Sequence, residues 1–135
     1  MIGKNIFDSV GAALIGLHKE EGEFEVSKGD SRISIEAVCY AFFRLSKEFP
    51  DMFFKINFRE AGNGIFVSEE IDIIVGGMGI VSLCYVGHYE HLVIPGDKKR
   101  LINLVLQENL PSEELDKLVL LSKRFQELVE EFLAK

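Results

Sequence analysis

Cys84, His88 and His91 follow one another closely in this 135-residue sequence, with Glu90 between the two histidines. Thiolate, imidazole and carboxylate are the ligands zinc takes, usually in tetrahedral sets. In a regular strand, positions 84 and 88 share one face while 91 points to the other. Only an irregular turn over 87–91 would let these side chains converge. The spacing matches no standard zinc signature and supplies no obvious fourth ligand. The expectation is therefore no bound metal and no other cofactor. The same residues offer a thiol and two bases for nucleophilic chemistry. Cys84 sits in the most apolar stretch of the chain, however, where a thiol's pKa is raised and its nucleophilicity suppressed.

Lys98, Lys99 and Arg100 form the densest basic cluster, directly after Gly96 and Asp97. They fall in the first turn of an expected helix, where free backbone N–H groups favour anions although the dipole opposes cations. Together they could hold a phosphate or a carboxylate. Lys98, Lys99 and Arg100, with His88 and His91 upstream, are thus the candidate ligand-binding residues. The plainer alternative is three solvated cations pairing with nearby glutamates, which contributes little.

Two other patterns invite chemistry. Gly76-Gly77-Met78-Gly79 has the composition of a phosphate-binding loop, but such a loop opens a helix. Here an apolar run over 80–86 follows and reads as a strand, so a hairpin turn is expected. Glu60, Glu69, Glu70 and Asp72 could bind a hard cation or exchange protons. On the outer face of a strand they serve more simply as solvating groups.

The elements that must position these groups follow from apolar spacing. Ile6, Phe7, Val10, Leu14 and Leu17 predict a helix over 5–21, and Gly11 and Gly16 suit a close approach by another element. Residues 23–27 alternate as a short strand, and 28–31 carry turn chemistry. Ile35, Val38, Cys39, Phe42 and Leu45 predict a helix over 34–48, ended by Pro50. Alternation of Phe54, Ile56 and Phe58 predicts a strand. A second strand is expected through Ile65, Val67, Ile71, Ile73 and Val75, with a bulge at Glu69. Residues 80–86 and 92–94 complete the β portion. Two helices close the chain, the first capped by Asp97 and the second opening at Pro111 and running to about 134.

Central strands joined by tight turns and flanked by helices predict an α+β fold. The expected form is a single domain over 1–135, with an antiparallel three- to four-stranded sheet packed by helices and two C-terminal helices. The formal net charge of -7 disfavours a phosphate backbone as partner, so nucleic acid is not expected. No apolar run reaches the length of a membrane span. The first residues lack an export signal. With only Cys39 and Cys84, a reducing cytoplasm and two free thiols are expected. Scarce Gln beside frequent Glu and Lys leans towards a thermophilic source.

The functional expectation is a non-enzymatic interaction or scaffold module acting as a homodimer, through the C-terminal helix or a sheet edge. Leu118, Leu121, Phe125, Leu128 and Phe132 make one seam of that helix, and neighbouring apolar residues widen it. The alternative is a small anionic-ligand-binding protein or an enzyme, with its site near His88, His91 and the basic cluster.

Overall fold

Ala12, Ala13, Leu14 and Ile15 are fully buried, and the helix that carries them, α1 (Ile2–Ile15), stops where its sequence still reads as helical. A computed structural model describes residues 2–53, 56–60, 62, 66–80, 85–86 and 91–134. The stop is at Gly16, whose φ of 67° lies in the left-handed region, and a Cβ there would stand 2.7 Å from Ser27 Oγ. The expected helix over 5–21 is therefore shorter. Its last part instead forms β1 (His18–Glu20), which pairs antiparallel with β2 (Glu23–Glu25). Glu21 and Gly22, at φ 52° and 83°, supply the doubly left-handed turn of a tight hairpin.

β3 (Ser31–Ser34) runs directly into α2 (Ile35–Glu48), so the segment around 32–35 that suits both strand and helix is used for both. After α2 a 3-10 turn (Pro50–Phe53) buries Phe53. The expected strand at 54–58 does not form over 56–58, and Phe54 lies outside the described residues. A minimal hairpin, β4 (Arg59–Glu60) with β5 (Phe66–Val67), follows.

The largest departure is α3 (Glu69–Ile80), a helix where a strand and a glycine turn are expected. Ser68 starts it: its Oγ accepts the Ile71 N–H at 3.3 Å and its carbonyl accepts the Asp72 N–H at 3.0 Å. Glu69, Glu70 and Asp72 then fall in the first turn, at the positive end of the dipole. Ile71 and Ile74 point into the core while Ile73 is exposed, which is helical and not alternating spacing. Gly76 and Gly77 lie inside this helix, so the phosphate-loop geometry is absent from them.

β6 (Tyr85–Val86) and β7 (His91–Ile94) complete an antiparallel sheet of order β3-β7-β6. Two helices follow, α4 (Gly96–Asn109) and α5 (Ser112–Leu133). α5 packs on both α1 and α2. Phe125 meets Phe42 with ring centroids 5.0 Å apart, and Phe42 meets Phe53 at 6.0 Å. The fold is a single-domain α+β arrangement. No described helix is long and apolar enough to cross a membrane.

Candidate functional site

The first turn of α4 decides what the basic cluster can do. Pro95 precedes the helix, and its carbonyl accepts the Lys98 and Lys99 N–H groups, each at 3.0 Å. Asp30 Oδ1 accepts the Gly96 N–H at 2.8 Å, binding the 27–31 loop to the start of the helix. Gly96 suits this close approach, because a Cβ would sit 3.2 Å from the Gly29 carbonyl oxygen and the loop would have to give by a few tenths of an ångström. Consecutive helical residues are rotated by about 100°, so three adjacent cations cannot share one direction. Lys98 is half-buried, Arg100 is exposed, and Lys99 is 0% exposed.

Lys99 lies on the inner stripe of α4 with Ile102 and Leu106. Its Nζ donates to Ser27 Oγ at 2.8 Å and to Ser31 Oγ at 3.0 Å. Burial pushes the lysine pKa down, against the opposing pull of the Asp30 charge. Ser27 in turn donates its hydroxyl hydrogen to the Ile15 carbonyl at 3.3 Å, while its backbone N–H donates to the same oxygen. The left-handed turn at Gly16 is what lets Ser27 come this close to the end of α1.

Ser27 also lines a groove of about 430 Å³ between the β1–β2 hairpin and α4. His18, Glu20, Glu25, Lys28 and Arg100 contribute its charged or titratable walls. His18 Nδ1 donates to the Gly16 carbonyl at 3.0 Å, which leaves Nε2 3.7 Å from Glu20 Oε2. Asn103 holds the hairpin on α4 by donating to the Phe24 carbonyl at 3.1 Å, and Gln107 donates to Asn103 Oδ1 at 3.1 Å. Lys19 ties the same hairpin to α5 through Asp116 at 3.1 Å.

The structure splits the expected ligand set. Arg100 lines the groove and Lys99 stands behind it, reaching it through Ser27. Lys98 does not line this groove. His91 pairs with Ser34 on the sheet, whereas Ile94, the residue nearest α4, pairs with Ser31. Three strand residues separate these positions by roughly 10 Å, so His91 is not joined to the basic turn. Cys84, His88 and Glu90 lie outside the described residues. Among the described residues no group of His, Cys, Asp and Glu is arranged to hold a metal. Glu69, Glu70 and Asp72 belong to the first turn of α3, where Glu70 Oε1 accepts the Asn57 N–H at 2.7 Å. Cys39 is a free thiol, and burial, helped by Asp72 and Glu36, pushes its pKa up to about 11.

Sequence reasoning misses His18, Ser27, Ser31 and Asp30 as site residues. The one signal was the placement of Lys99 in line with Ile102 and Leu106, one of two apolar stripes on its helix. No family model, no curated protein and no solved structure matches this chain.

Proposed function

We propose that this chain is a cytoplasmic interaction module that works as a homodimer, joined through the outward face of α4. The observation that carries this reading is a stripe of apolar side chains turned to solvent: Leu101 is 45% exposed, Leu104 54% and Val105 49%. Their spacing of three and four residues makes one continuous face, opposite the inward Ile102 and Leu106. The seam of α5 is a poorer candidate, because Leu118, Leu121, Phe125 and Leu128 are already buried within the chain. The edge strand β3 is four residues long and carries the exposed Arg32, features that discourage strand addition.

The charges beside the stripe favour a second copy as its occupant. Lys98 lies one turn before Leu101, and Glu108 lies one turn beyond Leu104 and Val105. Two such helices crossing antiparallel about a two-fold axis bring Lys98 of one copy towards Glu108 of the other, and Leu101 towards Val105. Antiparallel helices also oppose their dipoles favourably, and two-fold dimers are the commonest closed assemblies.

Sedimentation equilibrium at micromolar concentration is expected to give a mass near twice 15.2 kDa. Leu104→Glu, at an exposed site, is expected to return a folded monomer. Lys98→Glu is expected to weaken the dimer and Glu108→Lys in the same chain to restore it. A mass of 15.2 kDa for the unaltered protein across that range refutes the reading.

A further inference from the structure

We propose that Ser27 is a nucleophile, with Lys99 as its general base, and that the groove between the β1–β2 hairpin and α4 takes small esters bearing a negative charge. This goes beyond dimerisation and concerns the flank of α4 that carries Arg100, Asn103 and Gln107, which meets the apolar stripe at Leu104. A serine hydroxyl needs an adjacent base to become a nucleophile at moderate pH, and Ser–Lys pairs are one of the arrangements that provide it.

The geometry supplies a nucleophile, a base and a group that positions the base. The nucleophile and the base are in contact, Ser27 Oγ to Lys99 Nζ at 2.8 Å. The base is held by a second hydroxyl, Ser31 Oγ at 3.0 Å, which acts as a positioning residue. Lys99 is fully buried, and Asp30, the carboxylate that acts on its charge, gives its Oδ1 to the Gly96 N–H. Burial presses this amine towards the uncharged form that a base needs, against the smaller opposing pull of Asp30. Ser27 is also the residue through which Lys99 meets the open groove. A lysine serving only to fill this space would carry the desolvation penalty of an ammonium that a methionine avoids.

In the proposed step, Lys99 is the neutral amine and the Ser27 hydroxyl rotates from the Ile15 carbonyl to donate to Nζ. Oγ then bonds to the ester carbonyl carbon as its proton passes to Nζ, and the carbonyl π pair moves to oxygen. The tetrahedral adduct collapses, the alcohol leaves with the proton from Lys99, and an acyl-Ser27 ester remains. Water reverses the sequence. Lys99 takes its proton, the hydroxide oxygen bonds to the acyl carbon, and Ser27 leaves and recovers the proton. The sum is ester plus water giving acid plus alcohol. Of the charged groove walls, Lys28 and Arg100 would receive a carboxylate or phosphate on the substrate, whereas Glu20 and Glu25 would repel it, so the acid group has to sit on the Lys28 and Arg100 side.

The test uses the full chain with a fluorophosphonate probe, read by intact mass and peptide mapping, and with 4-nitrophenyl hydrogen succinate as ester. The expected result is one adduct, on Ser27, abolished by Ser27→Ala. Ester turnover should fall by about 100-fold or more in Lys99→Met. It should fall less in Ser31→Ala, and the pH dependence should shift. In the unaltered protein the labelling rate should rise with pH and level off below the ordinary lysine range near 10.4. That profile decides the matter if Lys99→Met fails to fold. The proposal is overturned if Ser27 stays unlabelled, if folded Lys99→Met labels at the same rate, or if the rate climbs without a plateau.

Discussion

Lys99 titrates against the protein that surrounds it. Its pKa is lowered by burial, so between the folded value and the unfolded value near 10.4 the unfolded chain binds more protons. Unfolding free energy attributable to this residue therefore rises with pH across that window and is lowest where the ammonium is fully formed. Cys39 acts in the opposite sense. With its pKa at about 11 in the fold and 9.0 as the ordinary thiol value, it removes stability as pH climbs between them. The contribution of Lys99 is thus isolated in a difference. Urea unfolding of the unaltered protein and of Lys99→Met, compared from pH 7 to 10.5, is expected to show the variant equal or more stable by about 1 kcal/mol at pH 7. That advantage should shrink as the pH rises. A constant gap would mean that Lys99 keeps its ordinary pKa in the fold. The sequence shows the basic cluster but not which stripe of α4 turns inward, because Leu101, Leu104 and Val105 are as apolar as Ile102 and Leu106. It does not show Ser27 and Ser31, because nothing local ties residues so far upstream to α4. That contact is made by tertiary packing around Gly16 and Gly96.

Among the elements, α3 separates what sequence patterns say from what the chain does. Ile71, Ile73 and Val75 alternate as a strand would, and β-branched residues favour that reading. Ile71, Ile74 and Val75 fit a helical stripe equally well. The decision falls to the start of the segment, where Ser68 accepts the Ile71 N–H and three acids follow in the first turn. That signature stood in the sequence as Ser68-Glu69-Glu70, where it reads equally as a bulge in a strand. The segment around α2 was legible because apolar spacing and Pro50 agree. The end of α1 was not, because Gly16 acts through its close approach to Ser27. If the cap decides α3, Ser68→Ala should cost about 1 kcal/mol. The measurement is the urea midpoint together with helix content by circular dichroism. Loss of helical signal beyond that cost would show that the segment reverts towards its alternating pattern, and an unchanged midpoint would show that packing of Ile71 and Ile74 suffices.

At the scale of the molecule, α5 is the element around which the other helices assemble. Its breadth predicts burial on two sides, and α1 and α2 supply both without a second chain. Apolar packing makes this arrangement favourable, and a polar seam fixes its register. Arg124 donates to Glu48 through Nε at 2.7 Å and Nη2 at 3.0 Å, a forked contact between α5 and α2. Nearby, Arg44 Nη1 donates to Glu131 at 3.0 Å and to Tyr40 Oη at 2.7 Å, linking the same helices again. The Arg124 hydrogen bonds hold the Glu48 carboxyl below the usual carboxylate range, against a smaller opposing effect of burial. Because the folded pKa is depressed, the stability this contact contributes is complete above the unfolded value near 4.3. It is lost as pH falls through the folded value. Glu48→Gln is therefore expected to cost about 0.5–1 kcal/mol at pH 7, since both partners are partly exposed. It should cost progressively less below pH 4. Arg124→Met should behave alike, and the double variant should lose less than the sum of the singles. Strict additivity in that cycle would mean that the two side chains do not couple, leaving the register of α5 to Phe125 and the leucines alone.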